Sequence, residues 1–319
     1  MKNKKGIFFT IIAISLLALI LLSISSTYSY KNRKRMEAIS SRIRSMDNFV
    51  RDLDKDLERG IYIAGFRTIL GMQSFIEENG AFLNDTEESF KEIFMNGSLN
   101  NKTISIMEES YFLLWIEKIK DRAKELKINA ELKVNDIFVN QTDPWYVDVN
   151  VNISVELNDS NRIVFWNRTF FKTVKISIIG FEDPLYFINS YGKVSNIINK
   201  TPYSYFVLGN NTTNLLEHLN NSYYIASNTA PNFLMRFENN LTSSEQGIES
   251  LVNIQKLITV GIPAKDRSVV DYIYFGSRTT TNLCINNSIA EPDMPSWFKI
   301  DIDDMHIQKY QLTEITKTC

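Results

Sequence analysis

Two cysteines and two histidines are all that 319 residues supply of the side chains that most often bind metal or serve as nucleophile and base. The chain also lacks a Gly-rich phosphate loop, a Gly-x-Ser-x-Gly and a His-Glu-x-x-His. Nucleophilic catalysis would have to use His218 or His306 as base, or do without one. The sequence therefore predicts no enzyme and no cofactor. An excess of charge of one sign is missing too: 35 basic and 37 acidic residues leave a formal charge of −2. The basic residues are not gathered into a face interleaved with aromatics, which excludes nucleic acid as a partner. The two thiols, Cys284 and Cys319, either close a single loop in an oxidising exterior or stand as unrelated free cysteines. No internal repeat is present. The 44% apolar content is enough for a sizeable core and one or two domains beyond any anchor.

One long hydrophobic run is present. Ile7 to Ile24 contains no charge and only three hydroxyls, Thr10, Ser15 and Ser23, a composition suited to hydrocarbon. As a helix it covers about 27 Å, and Tyr28 and Tyr30 beyond it suit the interface. Lys2, Lys4 and Lys5 flank the run on one side, and Lys31, Arg33, Lys34 and Arg35 on the other. The flanking count alone slightly favours the second cluster as the cytoplasmic side. Lys4 and Lys5, however, adjoin the run like the n-region of a signal sequence.

A second signal reverses that count. With 32 Asn and 48 Ser plus Thr, chance places about five Asn-x-Ser/Thr triplets in the chain, and there are thirteen, none with proline in the middle. They begin at Asn84, Asn96, Asn101, Asn140, Asn152, Asn158, Asn167, Asn199, Asn210, Asn211, Asn220, Asn240 and Asn286. Such acceptors work only outside the cytoplasm, although an Asn-rich composition accounts for some of them. The expected topology is a single-pass cell-membrane protein with a cytoplasmic N-terminus and an extracellular head.

Four regions follow in order: residues 1–30 as signal or transmembrane helix, 31–78 as helical stalk or spine, 79–180 as helix plus antiparallel sheet, and 181–319 as a loop-rich, Asn-rich α+β extension. In the stalk Met36, Ile39, Ile43, Met46, Val50, Leu53 and Leu57 recur at three-four spacing. This makes a seam either for self-association or for packing on the chain's own head. Gly60 falls on the seam, and the apolar stretch Ile61 to Ile76 predicts burial. Helices are expected around Thr86 to Phe94 and over Ser105 to Leu126. From Ala130 the period becomes two: Trp145, Val147, Val149, Val151, Ile153, Val155 and Leu157 alternate with polar residues, a strand with one dry and one wet face. Arg162 to Ile178 reads as a second strand and Leu132 to Val139 as a third. Gly180 to Pro184 is a turn and a candidate boundary. Asn189 to Asn228 reads as a surface loop, Phe233 to Phe237 as a short piece, Ile248 to Ile254 as a short helix, Ser268 to Phe275 as a strand, and Trp297 to Leu312 as a closing segment. The fold class is α+β: a transmembrane helix continuing into a long stalk, then an antiparallel sheet packed with helices.

Asp301, Asp303, Asp304 and His306, with Glu291 and Asp293 upstream, are the one cluster with metal-ligating chemistry, suited to Ca²⁺ or Mn²⁺. Its spacing lacks the glycine and distal glutamate of a calcium-binding helix-loop-helix, and capping of the following helix explains the carboxylates better. His218, in an Asn-rich segment without ligand-type neighbours, reads as a surface histidine.

The opening resembles an archaeal type IV pilin or pilin-like protein: basic residues, Gly6, an apolar helix from Ile7 that continues as a spine, and a helix-covered sheet as head. The resemblance implies that a prepilin peptidase cuts between Gly6 and Ile7 and that the helix bundles with other pilin-like subunits in a filament. Ile11 stands where major pilins carry a glutamate, as in the minor, tip-located pseudopilins. The Gly180 to Tyr186 stretch and Trp297-Phe298 also resemble archaeal surface proteins, without implying an activity. Two readings remain open, a pilin-like component of a surface filament and an uncleaved anchored adhesin or sensor. An anchored metal-dependent enzyme rests on the Asp301 to His306 cluster alone.

Overall fold

The computed structural model describes residues 4–160, 164–279 and 281–319, with backbone only for Lys4, Lys5 and Asp304. Lys2, and Arg162 at the start of the expected second strand, lie outside the described residues. Apolar run and stalk form one helix, α1, Lys4–Asn79. Asp85 then caps α2, Thr86–Asn96, by accepting a hydrogen bond from Glu88 N, and Gly97 closes it at φ 71°. A two-stranded antiparallel pair follows, β1, Ser98–Leu99, and β2, Lys102–Thr103. The helix expected over Ser105 to Leu126 is divided into a 3-10 turn, Ser105–Met107, and α3, Phe112–Glu125. Glu109 interrupts it at φ 59°, a left-handed conformation that no helix continues through.

The three expected strands are present in the sheet order β3-β4-β5: β3, Ile128–Asp143, longer than expected at both ends; β4, Tyr146–Asp159, two residues longer at its end; and β5, Phe165–Ser177, inside the expected span. Two residues join β3 to β4, which makes that pair antiparallel. The chain divides into two compact units.

The first unit comprises residues 1–57, 119–132 and 155–168. Here Met46, Val50, Leu53 and Leu57 are buried together with Ala123, Ile128, Val155 and Leu157, so the lower seam packs on this chain itself. Met36 and Ile43 remain exposed. The Arg42 guanidinium binds the buried carboxylate of Asp159 and the Lys127 carbonyl.

The second unit comprises residues 58–118, 133–154 and 169–319. Ile61, Ala64, Ile69, Met72 and Ile76 of α1 are buried, as the uniform apolarity of that stretch requires. The helix comes close to its neighbours at glycines. A Cβ on Gly60 would lie 2.8 Å from the Trp115 ring, and one on Gly65 would lie 2.8 Å from Ile176 and 3.1 Å from Val149. On β4 the dry residues Val147, Val149, Val151 and Ile153 are fully buried. The face read as wet is not wholly so, since Asp148 and Asn150 are buried as well. Asn150 donates to Asn140 Oδ1 at 3.0 Å and accepts from Thr173 at 2.7 Å, while Lys175 Nζ lies 3.1 Å from Asp148. Asn150 is thereby hydrogen-bonded, whereas the buried Asp148 Oδ1 has, among the described residues, the Lys175 ion pair but no hydrogen bond.

Beyond Gly180 to Pro184, which lies inside the second unit, the elements are short: α4, Pro184–Asn189; α5, Thr213–Asn221; β6, Tyr224–Ala226; α6, Phe233–Arg236; β7, Ile248–Ser250; α7, Ile254–Thr259; α8, Asp271–Phe275; β8, Asn282–Ile285; β9, Lys299–Asp301; α9, Asp304–Lys309; and β10, Thr316–Thr318. Strands β6 and β7 pair antiparallel, as do β10-β8-β9.

Three expectations are corrected here. The segment Asn189 to Asn228 is not only loop, since α5 and β6 bury Leu215, Leu219 and Tyr224. Ile248 to Ile254 is strand β7 and a separate helix, because the Asn253 side chain caps α7 by accepting from Lys256 N. Ser268 to Phe275 is not a strand: Val270 makes one bridge to Leu251, and the chain then turns into α8, all five of whose residues are buried. A short apolar run carries no period that separates buried strand from buried helix.

Candidate functional site

The apolar run stands free. Within α1 its 18-residue window reaches a mean hydropathy of 2.9 with none of it buried, and Ile7, Phe8, Phe9, Leu17 and Leu22 are each more than half exposed. Two of its three hydroxyls are satisfied internally: Thr10 donates to Gly6 O and Ile7 O at 3.0 and 2.8 Å, and Ser15 donates to Ile12 O at 2.9 Å. That is the condition for a helix in hydrocarbon, where no water takes an unmade hydrogen bond. The helix is long and apolar enough to cross a membrane. Gly6 and Ile7 lie in its first turns and are exposed, and nothing comes within 4 Å of a Cβ built on Gly6.

Of the thirteen acceptor asparagines, Asn84, Asn96, Asn101, Asn140, Asn158, Asn167, Asn199, Asn210, Asn211, Asn220 and Asn240 are exposed. Asn152 and Asn286 are half-buried. By contrast, Asn150 and Asn196, which begin no triplet, are buried. Asn211, Asn240 and Asn286 each accept a hydrogen bond on Oδ1 from the backbone N–H two residues on. Cys284 and Cys319, 35 positions apart in sequence, form a disulfide with their Cα atoms 5.1 Å apart. In the chain-entropy account a loop of that length stabilises by about 4 kcal/mol.

The Asp301 to His306 cluster resolves into a cap and an ion-pair network. Asp303 accepts the His306 N–H at 3.0 Å as N-cap of α9, and accepts Nδ1 of the same residue at 2.7 Å. On the ring's other side, Nε2 lies 3.5 Å from Glu249 and 3.3 Å from Tyr272 OH. Lys309 Nζ and Tyr310 OH also reach Glu249, at 2.9 and 3.0 Å. Burial disfavours the imidazolium, but the Asp303 and Glu249 carboxylates outweigh it and raise the pKa to about 9. Burial likewise opposes ionisation of Glu249, yet His306 and Lys309 hold it at about 2. His306 is thus a buried cation at neutral pH rather than a free base. Asp301 faces Arg278 at 3.4 Å, and Glu291 and Asp293 are exposed. Among the described residues no three His, Cys, Asp or Glu side chains are grouped to hold a metal ion.

His218 is not on the surface. It is fully buried, with its ring 4.7 Å from that of Phe206 and 5.9 Å from that of Tyr310, and Nδ1 is 3.2 Å from Thr201 Oγ1. Burial lowers its pKa to about 4, keeping it neutral. The apolar face of α5, with Leu215 one turn before His218 and Leu219 next to it, was the available signal for that burial.

The sequence also concealed a buried charged centre. Arg236 is completely buried and donates through Nη1 to Asp183 at 2.6 Å and Asp271 at 2.9 Å, and through Nη2 to the Ile248 carbonyl. Tyr224 OH donates to Asp183 at 2.7 Å, and Ser250 Oγ and N both donate to Asp271. Burial penalises the guanidinium, yet the two carboxylates hold it firmly charged. Burial pushes Asp271 up to about 6, with Arg236 pulling the other way. The only local signal was Asp183 before Pro184, a carboxylate cap with proline at the first helical position of α4. These groups tie α4, β6, α6, β7 and α8 together. Solvent-facing clefts lie elsewhere in the second unit, one of about 650 Å³ bordered by Phe75, Phe82, Asn84 and Asn96 and one of about 520 Å³ beside Tyr272 and Arg278.

Compared with known proteins, the chain matches no family model, no curated protein and no solved structure.

Proposed function

We propose that this chain is a non-enzymatic, glycosylated surface protein, held in the cell membrane by Ile7 to Ile24 with its head outside the cell, and that it serves as a minor pilin-like component of a surface filament. The observation that carries this reading is the continuity of α1. One helix bears a wholly exposed apolar run, an exposed upper seam at Met36 and Ile43, and a lower seam buried from Met46. Such a helix suits both duties of a pilin spine, spanning a bilayer and bundling with its equivalents. Partners on this reading are a prepilin peptidase acting at Gly6-Ile7 and other pilin-like subunits.

Ile11, in the glutamate position of major pilins, favours a second reading, an uncleaved anchored adhesin or sensor. Co-expression with a prepilin peptidase followed by sequencing of the mature N-terminus separates the two. A start at Ile7 is expected for the filament component; an intact Met1 overturns it in favour of the plain anchor.

A further inference from the structure

The helix just past the apolar run holds the largest excess of positive charge in the chain. Between positions 31 and 44 six basic residues, Lys31, Arg33, Lys34, Arg35, Arg42 and Arg44, stand against one acid, Glu37. Asp159 neutralises Arg42. Lys31, Arg33, Lys34 and Arg35 are exposed, and among the described residues none of them forms an ion pair. Farther along the same helix the pattern changes, and Arg51 pairs with Asp47 one turn away. At about 100° per residue the four cations spread over an arc of roughly 200°, from Arg33 through Lys34 and Lys31 to Arg35, and leave the side that carries Asn32 and Met36 uncharged.

Their height along the helix matters as much as their charge. From Ile24, where the apolar run ends, Lys31 lies about 10 Å and Arg35 about 17 Å farther on. Flexible stems about 6 Å long can bring the charges back toward the headgroup layer. Tyr28 and Tyr30 sit between, exposed, with Lys34 Nζ 4.9 Å over the Tyr30 ring, the amphipathic aromatics expected at an interface. A protein partner would select one side of the helix. Four exposed cations spread over more than half of the helix circumference, starting just beyond the apolar run, fit a surface of phosphates.

We propose that Lys31, Arg33, Lys34 and Arg35 form a collar that binds the phosphates of anionic lipids in the leaflet where the apolar run ends. This rests on the reading that Ile7 to Ile24 spans a bilayer. The collar also accounts for the contrary flanking charge without placing the head in the cytoplasm, since its cations are held by lipid and need not mark the cytoplasmic side.

The test uses the full chain reconstituted into vesicles of phosphatidylcholine mixed with phosphatidylglycerol. Flotation reports whether the helix is embedded. Native mass spectrometry after extraction in mild detergent counts the two lipids retained. The wild type is expected to float and to retain phosphatidylglycerol preferentially, undisturbed by free inorganic phosphate. The Lys31→Gln, Arg33→Gln, Lys34→Gln, Arg35→Gln variant should float as well but lose that preference by about tenfold or more. Neutralising Lys118, Lys124, Lys133 and Lys317 instead should leave it intact. An unchanged preference in a floating collar variant overturns the collar, as does displacement of the lipid by free phosphate. A wild type that does not float overturns the spanning reading itself.

Discussion

His306 shows how little a residue's neighbours in sequence say about its state. Set among aspartates it read as a candidate metal ligand, yet Glu249, far away in sequence, completes its surroundings. The consequence is a pH dependence of stability with a definite sign. The folded pKa of about 9 lies above the ordinary 6.5, so the folded state holds the proton more tightly. The stabilisation is complete below pH 6.5 and is lost as pH rises through 9. Asp271, raised to about 6, also stabilises most while protonated, and its share is lost as pH rises from about 4 through 6, below the histidine's window. Glu249, depressed to about 2, contributes above pH 4.5 and loses that share only in strong acid. Denaturant midpoints at pH 6.5 and 9.5 isolate the histidine. The wild type should lose stability between them, and His306→Gln should be less stable at pH 6.5 and show a flatter profile. An equal slope in both proteins would remove the imidazolium from the account.

At the level of elements, the sequence was most readable where one period persisted long enough to average over exceptions. The seam from Met36 to Leu57 and the alternation from Val147 to Leu157 each span several repeats, and both elements are present. The region after Pro184 was obscure for a physical reason. Its elements are three to nine residues long, too short to display a period, and their positions are fixed by non-local groups such as Arg236 and the disulfide. Even in α1 the sequence located Gly60 on the seam without saying why. The structure places the Trp115 ring where its Cβ would be, and Phe112 stacks against that ring at 5.2 Å, limiting its retreat. Alanine in mid-helix ordinarily gains up to about 1 kcal/mol over glycine, whereas overpacking costs about 1–3 kcal/mol. The second effect should win. Gly60→Ala is expected to lower unfolding stability by about 1 kcal/mol and to perturb Trp115 fluorescence. A more stable variant would show that the ring moves aside freely.

For the molecule as a whole, three independent features favour one compartment. An exposed apolar helix calls for a bilayer, a disulfide calls for an oxidising medium, and acceptor asparagines call for glycosylation enzymes. The third agrees in position as well as in number, since all thirteen triplets begin at asparagines that are at least partly exposed. None of the thirteen is buried, while Asn150 and Asn196, outside any triplet, are. Directed through the secretion route of a host that glycosylates asparagine, the chain should therefore exceed its polypeptide mass of 36.9 kDa by discrete glycan increments, and enzymatic removal should cancel them. Peptide mapping should find the sugar among the eleven exposed acceptors first. Asn152, whose Oδ1 is taken by Asn135 at 3.1 Å within the sheet, and the half-buried Asn286 should be the least occupied. A chain that is membrane-embedded and disulfide-bonded yet unmodified would detach the triplets from the topology argument. The flanking charges would then decide orientation, and Lys31 to Arg35 would mark the cytoplasmic side.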